Sequence, residues 1–173
     1  MKLYHVSEEP DICEFKPRIP QRKDLNQSTG LVWAIDERHL PNFLTPRECP
    51  RVAYQTDHST TEEDKKRFFT SHESNYALII ESGWFEVMRN TKLYIYEFNT
   101  DNFVLQDAAA GYYISRVCQK PIDIIRIDDI FAELIKRNIE LRIVSSLWDI
   151  ADEVKNSSLV WSLCRMRNAK PRK

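Results

Sequence analysis

The chain has 173 residues, a formal net charge of −1 and 42% hydrophobic residues. That is enough apolar material for a sizeable core, which excludes a disordered chain, and the charge gives no overall reason for attraction to nucleic acid or membrane. No apolar run approaches the roughly 18 residues of a membrane span, so a cytoplasmic protein with neither partner is expected.

Leu3–Ser7 reads as a short strand ended by Glu8, Glu9 and Pro10. Asp11–Gly30 carries Pro17, Pro20 and a polar run, and its length suggests a lid or an acceptor-contacting loop rather than core. Leu31–Ile35 is a second strand, and Asp36 is placed to cap a short helix over Arg38–Leu44. Pro46 and Pro50 constrain the loop that follows. Arg51–Thr56 alternates as a strand. Thr60 and Glu63 have capping-box spacing ahead of a helix whose acids precede its bases. Tyr76–Ile80 is a strand, and Trp84–Met88 suits a short amphipathic helix.

Leu93–Ile127 is the richest stretch. Leu93, Ile95 and Glu97 alternate with Tyr94, Tyr96 and Phe98. A polar turn at Asn99–Asn102 leads to Phe103–Leu105 and Asp107. Ala108, Ala109, Ala110 and Gly111 permit close approach of a backbone or ligand. Tyr112–Val117 and Ile122–Ile127 restart the strand signal. Asp128 or Asp129 then caps a helix with Ile130, Phe131, Leu134 and Ile135 on one face. Ile139–Ile143 alternates as a strand. Ser145 or Ser146 caps a last helix, and Leu159–Met166 suits strand or helix equally. About eight strands with scattered helices predict an α+β fold with a mixed, mainly antiparallel sheet and short flanking helices. A single domain over residues 1–167 and a basic C-terminal tail over 168–173 are expected.

The four cysteines, Cys13, Cys49, Cys118 and Cys164, form no Cys-x-x-Cys pair and lie near no histidine, so no metal site is expected. With three glycines in the chain, a phosphate-cradling glycine loop is nearly excluded. His39, His58 and His72 sit in polar surroundings and read as surface residues. His5 lies within a strand, as a satisfied core histidine or as a ligand-facing one. Trp33 reads as core or as a stacking wall for a planar ligand. Asp107 either bonds turn amides or stabilises positive charge at a cleft mouth.

The segments LYHVSEEPDI, VWAIDERHLPNFLTPRECPRV, AGYYISR and IELRIVSSLWDIADEV resemble an uncharacterised bacterial family of small soluble proteins. More distantly, Tyr4-His5-Val6-Ser7, Val32-Trp33, the Tyr94–Glu97 strand, Tyr113–Arg116 and Pro121-Ile122 are similar in order to the motifs of rifamycin-modifying ADP-ribosyltransferases. Val6 and Trp33 stand where those enzymes have glycine and tyrosine. The resemblance implies an ADP-ribosyltransferase-like fold and NAD as cosubstrate. It implies catalytic roles for His5, Trp33 and Asp107, with Tyr4, Ser7, Tyr113, Ser115 and Arg116 on the ligand. The alternative is a non-catalytic domain of the same fold that binds a nucleotide-like ligand or a protein.

Overall fold

The computed structural model describes residues 1–20 and 27–172. In chain order the strands are β1 (Leu3–Ser7), β2 (Val32–Asp36), β3 (Arg51–Gln55), β4 (Tyr76–Glu81) and β5 (Leu93–Phe98). They continue as β6 (Val104–Asp107), β7 (Tyr112–Ser115), β8 (Pro121–Ile127), β9 (Glu140–Val144) and β10 (Val160–Cys164). Four short helices, α1 (Glu62–Phe68), α2 (Phe85–Asn90), α3 (Ile130–Lys136) and α4 (Trp148–Val154), complete an α+β fold with mostly antiparallel sheets. Where length suggests one domain, the chain groups into two compact units: Met1–Phe43 with Lys92–Ile127, and Leu44–Thr91 with Asp128–Lys173.

The first unit is built on six antiparallel strands in the order β6-β7-β2-β1-β5-β8. β1 is too short to stand alone and lies between β2 and β5, a strand of the central stretch. Opposed residues of an antiparallel pair share a face of the sheet. Leu3, His5, Ala34, Asp36, Tyr96, Phe98 and Tyr113 therefore lie on one face, and Tyr4, Trp33, Ile35, Tyr112 and Ile114 on the other. The first face carries an apolar cluster of Leu3, Ala34, Tyr96 and Phe98, flanked by Ile12, Phe15, Phe103 and Tyr113. Fully burying one such Leu or Phe side chain stabilises by about 1.5–3 kcal/mol. β8 forms one edge, with Ile122, Ile124 and Ile125 exposed.

The segment after β1 is a strap across that face. Phe15 packs its ring against Tyr96 and Phe98, at 5.1 and 5.0 Å between centroids. The Tyr96 hydroxyl donates to the Glu9 carbonyl (2.6 Å) and accepts from the Ile12 amide (3.2 Å). Backbone bridges join Phe15 to Gln119 and Arg18 to Leu31. The expectation of a lid over Asp11–Gly30 is thus corrected for its first part. A phenylalanine and a hydroxyl clamp tie it to the core, because apolar burial outweighs the loop-forming prolines around it. Residues 21–26 of that loop lie outside the described residues.

The second unit has a four-stranded sheet, β10-β3-β4-β9, in which only β4 and β9 run parallel. Val52, Tyr54, Phe68, Ala77, Ile79, Ala151 and Val154 form its core with residues of α1 and α4. Thr61 caps α1 through the Asp64 amide (3.2 Å). The Thr60 hydroxyl instead accepts the Asp57 amide (2.8 Å), which shifts the cap by one residue from the expected position. Asp129 caps α3 as expected, through Ala132. Leu159–Met166 resolves as β10 followed by a 3₁₀ turn.

The basic tail is held down. Glu81, 2% exposed, accepts the Leu147 amide (3.3 Å) and the Lys170 amide (3.1 Å). The Trp148 indole donates to the Lys170 carbonyl (2.6 Å). Arg172 pairs with both oxygens of Asp152 (2.6 and 2.8 Å) and lies over the Trp148 ring. Lys173 lies outside the described residues.

Candidate functional site

The candidate site is in the first unit, where β1 and β2 stop pairing. Their ladder covers Leu3↔Asp36 and Tyr4↔Ile35, whereas β1 and β5 pair over five residues from Leu3 to Ser7. At the end of the ladder the His5 ring replaces the backbone partner: its Nδ1–H donates to the Trp33 carbonyl at 3.0 Å. A carbonyl only accepts, so the bond fixes the proton on Nδ1 and makes Nε2 the acceptor nitrogen of the neutral ring. Phe15 packs on the other side, 4.9 Å from the His5 ring. The imidazole is half-buried and held from two directions.

The remaining residues singled out by sequence divide between two faces. Ser7 and Tyr113 share the His5 face and are half-buried; the Ser7 hydroxyl accepts the Glu9 amide (3.0 Å). Ser115 is buried there and holds a turn, bonding the Val117 carbonyl and the Gln119 side chain. Tyr4 is buried on the opposite face. Trp33 also points to that face, where its ring meets Tyr112 edge-on at 5.5 Å. It adjoins His5 through its backbone, and alternation carries its ring away from the His5 ring.

Asp107 is exposed on the edge strand β6. Its Oδ1 accepts the Ala109 and Ala110 amides at 3.0 and 3.1 Å. That is the turn-forming role of an aspartate. Three strand spacings, about 14 Å, separate it from β1. Arg116 is exposed beyond β7.

The structure adds two residues that sequence reading did not count in the site. Asp36, at the end of β2, is diagonal to His5 across the β1–β2 ladder, nominally about 7–8 Å away. Its Oδ1 accepts both the His39 amide (2.9 Å) and His39 Nδ1–H (2.7 Å). His39 is not a surface residue: it is 5% exposed. The Asp36 amide donates to the Gly111 carbonyl (3.0 Å). Gly111 has φ +67°, and a Cβ there would fall 2.2 Å from His39 Nδ1 and 2.8 Å from Asp36 Oδ2. The signal was present in the sequence as Asp-x-x-His, the spacing at which an aspartate caps the amide three residues on.

Among the described residues, no group of three His, Cys, Asp or Glu side chains is arranged to hold a metal ion, and no helix is long and apolar enough to cross a membrane. The molecule is therefore an α+β protein of two units, with an anchored histidine at a parting of strands in the first. The chain belongs to a family of unknown function, DUF6886, which matches it over residues 4–169. Comparison with curated proteins and with solved structures gives no match.

Proposed function

We propose that the first unit binds a nucleotide-like small molecule, with NAD the first candidate, at the parting of β1 and β2, and acts there as an ADP-ribosyltransferase-like domain. The observation that carries the reading is the His5 imidazole, fixed by the Trp33 carbonyl where the ladder ends. A ring held by the Trp33 carbonyl and by Phe15 is already ordered beside the place proposed for a ribose hydroxyl or an amide, so binding there carries little further ordering cost. Half-buried aromatic rings lie nearby on both faces: Tyr94 and Tyr113 on the His5 side, Trp33 and Tyr112 on the other. The resemblance to rifamycin-modifying enzymes supplies the chemistry: nicotinamide leaves and the sugar carbon passes to an acceptor.

Asp107 bonds its own turn and lies far along the sheet from His5. On the same face, Asp36 lies diagonal to His5 across the β1–β2 ladder. The engagement of Asp107 also favours a second reading, a non-catalytic domain that holds the same class of ligand.

Calorimetry with NAD and an assay of nicotinamide release test both readings on the wild type and on His5→Ala. Binding that weakens about tenfold in His5→Ala, the worth of one lost hydrogen bond, together with release by the wild type, supports the transferase. Binding without release under any acceptor selects the second reading. Absence of both binding and release removes the nucleotide proposal.

A further inference from the structure

The Asp36–His39 pair has a geometry that a simple turn does not require. A cap needs only the bond from the His39 amide to Asp36 Oδ1. Here the same oxygen also accepts a hydrogen bond from His39 Nδ1–H, at 2.7 Å. A carboxylate behind Nδ1 fixes the tautomer of the ring and stabilises the imidazolium that forms when Nε2 takes a proton. The ring is enclosed: the residue is 5% exposed, and Gly111 passes so close that no Cβ fits between them. Nε2 has no hydrogen-bond partner among the described residues, yet it is not sealed in. Among those residues, the one buried side-chain polar atom without a partner is Thr45 Oγ1. A buried imidazole thus shows solvent one polar atom, its basic nitrogen.

We infer that Asp36 and His39 form an acid–base pair whose open nitrogen, His39 Nε2, accepts the proton of a hydroxyl on the acceptor at the first unit's ligand site. The inference rests on the NAD reading for the identity of the reaction, and on the geometry for the pair itself. In the step, the bond between the sugar carbon and the nicotinamide nitrogen breaks, and its electron pair leaves with nicotinamide. The acceptor oxygen forms the new bond to that carbon. Its O–H bond breaks, the proton passes to His39 Nε2, and the Asp36 carboxylate balances the imidazolium. Water fills the acceptor's place when the reaction is hydrolysis. The acceptor's attacking atom carries a proton, as a hydroxyl does, since a carboxylate acceptor brings none for Nε2 to take.

His39→Asn separates this role from a structural one. Asparagine keeps an N–H near the Nδ1 position for Asp36 and deletes Nε2. Nicotinamide release from NAD, with water as acceptor, is compared in wild type and His39→Asn alongside NAD binding by calorimetry. The expected result is a fall in release of about 100-fold with affinity unchanged within threefold. Release at the wild-type rate overturns the inference. If the wild type neither binds nor cleaves NAD, the NAD reading falls, and diethyl pyrocarbonate decides the fate of the pair. Peptide mapping should then find His39 carbethoxylated along with the exposed His58 and His72. An unmodified His39 beside modified His58 and His72 means that Nε2 is closed, and the inference fails.

Discussion

Gly111→Ala is the most demanding perturbation of the first unit. Two independent costs arise at one atom. The backbone at φ +67° is the left-handed region, where a Cβ costs about 1 kcal/mol or more relative to glycine. The new methyl would also meet His39 Nδ1 at 2.2 Å, His39 Cγ at 2.6 Å and Asp36 Oδ2 at 2.8 Å. None of these is the loose end of a flexible chain, since Asp36 holds the ring through Nδ1 and its own amide is tied to the Gly111 carbonyl. Relief therefore requires breaking the charge-assisted bond between Asp36 and His39, worth about 1.5–3 kcal/mol. The sum is about 3 kcal/mol, which lowers the melting temperature by roughly 6–12 °C for a chain of this length. The assay is urea and thermal unfolding followed by circular dichroism, with amide exchange locating the loss in β1, β2 and β7. Gly83→Ala is the control, because a Cβ there meets nothing within 4 Å; it should leave stability unchanged or raise it by up to about 1 kcal/mol. A double variant, His39→Ala with Gly111→Ala, should lose less than the sum of the two single changes, since removing the ring opens the space. A Gly111→Ala protein within about 0.5 kcal/mol of wild type would refute this reasoning.

Tyr96→Phe removes the hydroxyl that clamps Glu9 and Ile12; amide exchange should quicken over residues 9–15, with a loss of about 1–2 kcal/mol. Phe15→Ala should cost more, about 3 kcal/mol, because it empties the space against His5, Tyr96 and Phe98. Arg172, through its bond to Asp152, holds that carboxyl at about 2, below its usual value of 3.8. The folded form is thus stabilised above pH about 4, and this contribution is lost as pH falls toward 2. Trp148 indole resonances should report tail release in that window, and Asp152→Asn should remove the transition. Burial pushes the Cys49 thiol up to about 12, so iodoacetamide at pH 8 should label the exposed Cys13 and Cys118 and spare Cys49 in the folded protein.

The sequence by itself determined where most of the regular elements lie. Leu93–Phe98 and Arg51–Gln55 are strands because their local residue pattern favours extended chain. Asp129 starts a helix because a carboxylate satisfies an amide three residues on. Leu3–Ser7 is a strand for an equally local reason, its short run of alternating residues ended by Pro10.

Only the tertiary structure decided which of these residues meet. His5 and Trp33 read as partners, and the register of β1 against β2 sends their rings to opposite faces. A shift of one residue would have reversed that, and the alternation within each strand does not fix the shift between them. Asp107 ends an apolar strand in either role; the amides of Ala109 and Ala110 assign it to the turn. Phe15 reads as loop and packs, partly buried, against the core because the strap crosses the aromatic face. His39 reads as polar and exposed, and is buried because Asp36 accepts the hydrogen bond from its Nδ1–H while Gly111, from a distant part of the chain, closes over it. Periodicity and capping act over a few residues and can be read in order. Burial of a polar ring depends on the two sides of its pocket arriving together, and only the folded chain brings them there.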